Sequence, residues 1–358
     1  MAATVRVLFT GYAPVHFACF RPLYDALLAA PGVDVTVSGG LRRRAHEDDP
    51  WSYDAVGMYR PFKLSNASVL TVDEIRAREF DVLFSACTKP IVPAAHRTAI
   101  QIFHGLSFRN RSVRARNLDY DHCFAVGPYM MRRLGQLAAE VGDEQLIAVG
   151  FPKTDRLLDG SLDRRAIQRS LGFDGTRPVL LYAPTGAHDN SLETIGEELL
   201  TRLSGQDRYD VLVKPHDHPK KAIDWFARLA PLQGEHLRVA REPDVIPLML
   251  ASDLLISDAS SVATEYTLLD RPIVFLDVPE LLAAAAADDE RLDLTTWGRR
   301  GGRVAAGCDE ALEAIADELA APDAGLADVR RALRDDCFYN PGGATAAAMA
   351  WMGEHVLT

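Results

Sequence analysis

Residues 252–266 read Ser-Asp-Leu-Leu-Ile-Ser-Asp-Ala-Ser-Ser-Val-Ala-Thr-Glu-Tyr, and this stretch indicates the fold of the chain. Its apolar run, Leu254 to Ile256, is bounded by turn residues and is typical of a parallel strand buried on both faces. A polar turn follows, and a helix is predicted to begin at about Ser260, with Asp258 or Ser260 as its cap. The stretch therefore predicts an α/β architecture in which parallel strands alternate with helices.

The turn at the start of this predicted helix allows two interpretations. The first N–H groups of a helix have no partner within it, and together with the helix dipole they suit a phosphate. Ser261 and Glu265 lie one turn apart on the same face, so one ligand could contact both. A nucleotide diphosphate fits this pattern, with phosphates on Ser260, Ser261 and the helix end and ribose hydroxyls on Glu265. The alternative is an ordinary strand-to-helix loop with a capping serine, and the turn by itself does not decide between them.

The composition limits the classes of protein to consider. A chain of 358 residues usually needs more than one hydrophobic core, so two domains are expected. The net charge of −11 argues against nucleic acid as the main partner. Five cysteines are scattered without a Cys-x-x-Cys pair, which indicates reduced thiols in a cytosolic protein, and no cluster has the spacing of a metal site. The first residues read as a strand and not as a signal sequence, and no apolar run is long enough for a transmembrane helix.

Strands and helices alternate along the rest of the chain. A strand over Val5 to Phe9, a helix over Phe17 to Ala29 and a strand over Val33 to Val37 make a β-α-β opening. Further strands are predicted at 82–85, 99–103, 122–126, 146–149, 179–182, 211–214, 237–240 and 273–276. Because no Gly-x-Gly-x-x-Gly motif follows the first strand, a nicotinamide or flavin cofactor is not expected. Residues 39–61 are predicted to form a polar loop. Its Arg42-Arg43-Arg44 run indicates either a solvated face or a docking point for an anionic acceptor or a lipid surface.

Four polar segments fall at the ends of predicted strands, and open α/β sheets bind ligands at the carboxyl ends of their strands. The segments are Phe103-His104-Gly105, Tyr182-Ala183-Pro184-Thr185, Lys214-Pro215-His216 and Ser257 to Ser261. His104 is a candidate general base, because the glycine after it lets a substrate approach closely. Lys214 and His216 would lie on the same side if their strand continued, and both can donate to phosphate oxygens. A lone histidine at such a position is also commonly structural.

Taken in order, these segments resemble a known family. The carrying residues are Gly150-Phe151-Pro152-Lys153-Thr154-Asp155-Arg156-Leu157, then the three later strand-end segments, then Asp270-Arg271-Pro272-Ile273-Val274-Phe275. Their order and spacing over about residues 100–280 are similar to the CDP-glycerol glycerophosphotransferases, which prime and polymerise teichoic acids. The chain departs from the family in two places. Leu106-Ser107-Phe108-Arg109 stand where the family usually has threonine, proline and lysine, and Gly186 and Ala187 stand where it has tryptophan and arginine.

The resemblance implies a GT-B-like α/β fold, that is, two Rossmann-like domains with parallel sheets facing a central cleft. Residues 1–152 are expected to form the acceptor-side domain and residues 153–338 the donor-nucleotide domain. Residues 339–358 are expected to form a C-terminal helix that could pack back on the N-terminal domain.

The resemblance and the strand-end positions together predict the site residues. The family's histidine–glycine motif maps onto His104 and Gly105, a second histidine onto His216, and its donor-phosphate serines onto Ser260 and Ser261. The predicted roles are catalytic for His104 and His216; donor-binding for Thr185, Lys214, Ser260, Ser261 and Glu265; and acceptor-side for Gly11, His16, Gly105, Arg109 and Arg111. No metal ligand is predicted, and no cofactor is expected, because the CDP-linked donor is itself a substrate.

The resulting hypothesis is a transferase that moves glycerol phosphate, or a related polyol phosphate, from a CDP-activated donor to an acceptor hydroxyl with release of CMP. Its expected partners are the nucleotide-activated donor and an anionic or lipid-linked glycan or polyol acceptor. The expected location is the cytoplasm, with a peripheral contact at the inner face of the membrane as an option. Two alternatives stay open: a nucleotide-sugar-dependent GT-B glycosyltransferase or epimerase, and a non-catalytic nucleotide-binding protein.

Overall fold

The computed structural model describes residues 4–44, 46, 49–65, 68–106, 113–137, 142, 144–216, 223–287 and 299–357. The strands of these residues are β1 Val5–Gly11, β2 Val33–Gly39, β3 Leu41–Arg43, β4 Ser52–Asp54, β5 Glu79–Ser85, β6 Ala95–Ile102, β7 His122–Ala125, β8 Leu146–Ala148, β9 Val179–Tyr182, β10 Asp210–Val213, β11 Leu237–Val239, β12 Leu254–Ser257, β13 Ile273–Leu276 and β14 Arg303–Ala305. The helices are α1 Pro14–Leu28, α2 Ala55–Tyr59, α3 Val72–Arg76, α4 Pro128–Leu137, α5 Arg164–Ser170, α6 Glu197–Ser204, α7 Trp225–Leu229, α8 Ile246–Ala251, α9 Ser261–Tyr266, α10 Pro279–Ala287, α11 Cys308–Ala320, α12 Ala324–Cys337 and α13 Ala344–His355.

The chain divides into two compact units. The first unit consists of Met1–His104, Ser112–Asp155 and Cys337–Thr358, and the second of Gly105–Arg111 and Arg156–Asp336. Among the described residues, no helix has both the length and the apolarity needed to span a membrane.

The first unit is built on a six-stranded sheet in the order β2-β1-β5-β6-β7-β8, with every neighbouring pair parallel. The carboxyl halves of β1, β2 and β5 are buried, while their first residues are more exposed. Aromatic rings fill the core against α1: Phe9 stacks on Phe84 with ring centroids 4.7 Å apart, and Phe20 stacks on Phe9 at 4.9 Å. The opening of α1 follows from Pro14, whose fixed backbone angle suits the first helical position.

The last helix, α13, belongs to the first unit, and its Ala348 and Met352 are fully buried in that unit's core. Asp155 fixes the start of α13, because its two carboxylate oxygens accept from the backbone N–H groups of Ala344 (2.9 Å) and Thr345 (2.6 Å). Gly150 has a φ of +101°, and a Cβ there would lie 2.2 Å from the carbonyl oxygen of Tyr339, so only glycine fits. The Gly150–Asp155 segment thus attaches the C-terminal helix to its unit.

The second unit repeats the architecture with a six-stranded sheet in the order β11-β10-β9-β12-β13-β14, again parallel throughout. The central strands β9, β10, β12 and β13 are buried along their whole length. This explains their continuous apolar sequences, since helices cover both faces of a parallel sheet. Their carboxyl ends therefore lie at one edge of the sheet.

Two regions differ from the sequence expectation. Residues 39–61, predicted to be a loop, contain the antiparallel hairpin β3–β4 and helix α2. The hairpin makes a ring contact with a residue outside this region, which a local pattern does not reveal: the Arg42 guanidinium lies 3.6 Å from the Tyr12 ring centroid, and it also lies 4.8 Å from that of the nearby Trp51. The short edge strand β14 was also not predicted, because its three residues lack an apolar run.

Candidate active site

His104 follows β6 and is held by one short hydrogen bond. Its Nδ1 lies 2.7 Å from the carbonyl oxygen of Ala86, just past the end of β5. A carbonyl oxygen can only accept, so Nδ1 carries the hydrogen and, in the neutral ring, the lone pair lies on Nε2. His104 is half-buried. The ring is thus fixed in the tautomer that a general base acting through Nε2 requires.

The surroundings of His104 favour its neutral form. Burial lowers the pKa of His104, the bond to Ala86 opposes that effect, and the positive charges of Lys153 and Arg114 lower the pKa further. Lys153 is itself buried, with 4% of its surface exposed. Sequence reasoning did not assign Lys153 a role, although it belongs to the Gly150–Leu157 motif. A neutral histidine near a fixed positive charge can accept a proton close to an anionic substrate.

A second histidine, His16, lies beside the first. The two rings are 5.1 Å apart between centroids, and His16 is buried on α1. Its Nδ1 accepts from the backbone N–H of Tyr12 at 3.2 Å and lies 3.3 Å from the Cys87 sulfur. Since the backbone N–H can only donate, Nδ1 of a neutral His16 has the lone pair and Nε2 carries the hydrogen. The two neighbouring histidines are therefore fixed in opposite tautomers, one suited to accept a proton and the other to donate a hydrogen bond.

Gly11 and Cys87 complete this group in the first unit. A Cβ on Gly11 would lie 2.9 Å from the His16 Cβ, so the glycine leaves room for the imidazole. Burial raises the pKa of the Cys87 thiol to about 12, which keeps it protonated and able to donate to His16. Cys87 lies just past the end of β5, and that strand-end position was the signal that could have identified it from sequence.

In the second unit, the turn between β12 and α9 has Ser260 as its cap. The Ser260 hydroxyl accepts from the backbone N–H of Val262 at 3.4 Å. Ser260 and Asp258 were the two predicted caps, and Ser260 is the one observed. Asp258 makes other hydrogen bonds.

The Asp258 carboxylate is fully buried and joins three segments of the second unit. One oxygen accepts from the Thr185 N–H at 2.8 Å and from the Ala259 N–H at 2.6 Å. The other accepts from the N–H and the hydroxyl of Ser191, at 3.0 and 2.9 Å. Asp258 therefore fixes the loop after β9, which carries Thr185, against the turn that carries Ser260. Sequence reasoning considered Asp258 only as a helix cap.

Ser261 and Glu265 lie on one face of α9, next to Gly105, which belongs to the same unit. A Cβ on Gly105 would lie 2.9 Å from the Ser261 hydroxyl and 3.7 Å from a Glu265 carboxylate oxygen. The φ of Gly105 is +143°, so glycine is favoured there by conformation as well as by space. Glu265 is buried and Ser261 half-buried. The structure thus brings together three predicted residues, one of which directly follows His104 in the chain.

The other predicted residues are placed as follows. Lys214 is buried just after β10, where its N–H donates to the Tyr182 carbonyl at 2.8 Å and its ammonium to the Pro215 carbonyl at 3.1 Å. His216 is exposed. Because β10 ends at Val213, the strand does not carry Lys214 and His216 forward on a common face. Arg109 and Arg111 lie outside the described residues.

Comparison with known protein families and with individual relatives shows which family the chain belongs to. Residues 89–325 match the family model of CDP-glycerol:poly(glycerophosphate) glycerophosphotransferase. The chain belongs to this family. It is 27% identical over 162 residues to a teichoic acid glycerol-phosphate primase of Bacillus subtilis, covering 44% of the chain and 39% of the primase. It is 29% identical over 144 residues to a teichoic acid poly(glycerol phosphate) polymerase of Staphylococcus epidermidis, covering 37% of the chain and 19% of the polymerase. The matches thus span less than half of either glycerophosphotransferase.

Solved structures support the fold of this glycerophosphotransferase family member. The wall teichoic acid polymerase TagF superposes with a TM-score of 0.67 at 17% identity, over 99% of this chain and 89% of that one. A UDP-GlcNAc 2-epimerase from Neisseria meningitidis, bound to UDP-GlcNAc, superposes with a TM-score of 0.60 at 12% identity, over 98% and 100% of the two chains. At these identities the likeness concerns the fold. It confirms the predicted GT-B-like class with two parallel sheets, and the predicted family is confirmed as well.

Proposed function

We propose that the chain transfers glycerol phosphate, or a related polyol phosphate, from a CDP-activated donor to an acceptor hydroxyl in the synthesis of a cell-surface polymer. Membership of the glycerophosphotransferase family gives the reaction class. The observation that carries the proposal is the fixed state of His104, whose Nδ1–H is bound to Ala86 and whose Nε2 is the basic nitrogen.

In the proposed reaction the acceptor oxygen attacks the distal phosphorus of the donor. A new phosphorus–oxygen bond forms, and the bond from that phosphorus to the oxygen bridging to CMP breaks. His104 Nε2 takes the acceptor proton, and CMP leaves with the electron pair of the broken bond. His16, with its hydrogen on Nε2, would donate to an oxygen of the acceptor or of the transferred phosphate. Since the lowered pKa leaves His104 neutral at physiological pH, no proton has to be removed from it before it acts.

The donor is proposed to bind the second unit. Ser260, Ser261, Thr185 and Lys214 supply hydroxyl and ammonium donors to its phosphates, and Glu265 accepts from the ribose hydroxyls. His216, exposed after β10, would stabilise the charge that develops on the leaving CMP. Asp258 contributes indirectly, because it fixes the loop of Thr185. Pre-organised donors of this kind stabilise the transition state without reorganisation.

The acceptor is proposed to be an anionic or lipid-linked polyol or glycan, used in the cytoplasm or at the inner face of the membrane. Arg109 and Arg111, which follow His104 closely in the chain, remain predicted acceptor-side residues. Gly11, His16 and Gly105 belong to the same proposal. Their proximity to His104 in space or sequence supports it.

The test is to incubate the protein with CDP-glycerol, CDP-ribitol and a panel of UDP-sugars, each with a hydroxyl acceptor, and to identify the nucleotide released. We expect CMP from a CDP-polyol. The paired variant and control are His104→Ala and His96→Ala; His96 is an exposed histidine on β6, the strand that precedes His104.

Release of UDP from a UDP-sugar would replace the proposal with the glycosyltransferase or epimerase alternative. Tight binding of a nucleotide without release of product from any donor, by protein shown to be folded, would favour a non-catalytic binding protein.

A further inference from the structure

A series of ring contacts runs through the first unit from the candidate base to an exposed hairpin. His104 lies beside His16 at 5.1 Å, and His16 lies edge-on to Tyr12 at 4.5 Å between ring centroids. The Arg42 guanidinium covers the Tyr12 ring at 3.6 Å and the Trp51 ring at 4.8 Å. Every step of this series is a direct contact. It leads from a half-buried histidine to Trp51, which is 42% exposed.

The hairpin presents its arginines in a defined way. Side chains alternate along a strand, so Arg42 points to one side of β3 and Arg43, its last residue, to the other. Arg44 follows the strand and lies 4.5 Å from the Trp51 ring centroid, so the guanidinium groups of Arg42 and Arg44 both contact this ring. On the opposite side Arg43 donates to the Asp54 carboxylate at 3.0 Å, and its charge is paired.

The Arg42 guanidinium lies over the Tyr12 and Trp51 rings, and a guanidinium directs its N–H groups outward in its own plane. That geometry suits the oxygens of a phosphate, and stacking holds the fork in position before the ligand arrives. In the described part of the chain, the contacts of Arg42 are with rings and not with carboxylates. The whole chain carries a net charge of −11, and within it the run Arg42-Arg43-Arg44 is a local concentration of guanidinium groups.

We infer that the face formed by Tyr12, Arg42, Arg44 and Trp51 binds the phosphodiester chain of the acceptor and leads its terminal hydroxyl towards His104. The ligand class is a polyol phosphate oligomer: its phosphates meet Arg42 and Arg44, and its carbon backbone packs on the Tyr12 and Trp51 rings. This inference rests on the proposed function, since it names the acceptor of that reaction. An anionic membrane is less well suited, because the face offers a single exposed tryptophan and is continuous with the histidines.

The experiment measures binding of a short synthetic oligo(glycerol phosphate) by calorimetry, without donor and without turnover. Arg42→Ala should weaken binding by about tenfold, as for the loss of a hydrogen bond between charged groups. Arg42→Lys should recover only part of the affinity, because it keeps the charge but not the stacked fork. Arg43→Ala, on the opposite side of the strand, should change the affinity by less than about twofold, as expected for an exposed pair.

Vesicles of phosphatidylglycerol and phosphatidylcholine provide the second arm. We expect Arg42→Ala and Trp51→Ala to weaken binding of the oligomer by at least as large a factor as they weaken any binding to the vesicles. Loss of vesicle binding with oligomer affinity unchanged would make the hairpin a membrane surface and overturn the inference. A parent protein that does not bind the oligomer, or an Arg42→Ala variant that binds it as the parent does, would overturn it too.

The two proposals fail in different ways. If CMP is released from CDP-glycerol but Arg42→Ala keeps the acceptor KM of the parent, the acceptor face is wrong and the reaction stands. If the oligomer binds through Arg42 but no CDP-polyol is turned over, the reaction is wrong.

Discussion

The carboxyl ends of the two sheets carry different chemistry on the same architecture. In the first unit, backbone groups fix the hydrogens of two neighbouring histidines. The Ala86 carbonyl accepts from His104, while the Tyr12 N–H and the Cys87 thiol contact Nδ1 of His16. In the second unit, backbone N–H groups converge on the buried carboxylate of Asp258. Parallel sheets of similar order thus carry paired histidines in one case and a loop held by a buried carboxylate in the other, and we propose proton transfer for the first and binding of an anionic donor for the second.

The comparison teaches that the fold specifies where chemistry occurs and not which chemistry occurs. We therefore expect changes in the first unit to affect turnover, and changes in the second to affect loop stability and donor affinity.

The largest effect is expected from Asp258→Ala. The change leaves the N–H groups of Thr185, Ser191 and Ala259 without their buried acceptor. The free energy of unfolding should fall by about 3 kcal/mol or more, since each unsatisfied buried group costs about 1–3 kcal/mol. Urea denaturation measures this. The matched control is Asp207→Ala, an exposed aspartate that pairs with Arg177, which should change stability by less than about 0.5 kcal/mol. A loss below about 1 kcal/mol for Asp258→Ala would show that the carboxylate does not hold the loops.

The next effect is that of His104→Ala on turnover. Removing the base should lower kcat by about a hundredfold or more, because general-base catalysis contributes about that much. Donor affinity, which belongs to the second unit, should be nearly unchanged. Steady-state CMP release and calorimetry with CDP-glycerol give the two quantities, and a thermal melt checks folding. His96→Ala, on the preceding strand β6, should behave as the parent does. Turnover within about threefold of the parent would remove His104 from the role of base.

The smallest of these effects is expected from Ser261→Ala. Loss of one hydroxyl donor to a charged phosphate should weaken binding of CDP-glycerol by about 1–2 kcal/mol. Thermal stability should be kept, since the change removes the Ser261 hydroxyl oxygen and adds no atom against the neighbouring Gly105. The control is Ser170→Ala, an exposed serine of the same unit. If calorimetry gave the parent affinity for CDP-glycerol, CDP and UDP nucleotides alike, the phosphate site would have to lie elsewhere.

The fold class and several candidate site residues could be predicted from the sequence, and the reason is physical. Strands buried on both faces are apolar along their length, and so the strands Val179–Tyr182 and Leu254–Ser257 could be recognised from their apolar runs. Polar residues directly after such runs fall at the ligand-binding edge, which singled out His104, Thr185 and Lys214. The fold class and the family are confirmed, while the roles of the site residues stay predictions.

The structural features that the sequence did not predict depend on contacts between residues that are separated along the chain. The hairpin β3–β4 is stabilised by Arg42 between Tyr12 and Trp51, so its polar sequence reads as a loop. Most of the hydrogen bonds of the Asp258 carboxylate come from a loop 67 to 73 residues away along the chain. The tautomers of His16 and His104 follow from single backbone groups, which leave no trace in residue type.

The measurement that tests the central claim most directly is a titration of the His104 ring nitrogens by NMR, with histidine labelled with nitrogen-15 and with the His104→Ala variant for assignment. The account predicts hydrogen on Nδ1 and none on Nε2 at neutral pH, and a pKa below about 6.5, the usual value for histidine. Because the base is active when neutral, kcat/KM should be constant above this pKa and fall as the pH drops through it. A ring with its hydrogen on Nε2 at neutral pH, or one with a pKa above about 6.5, would contradict the account.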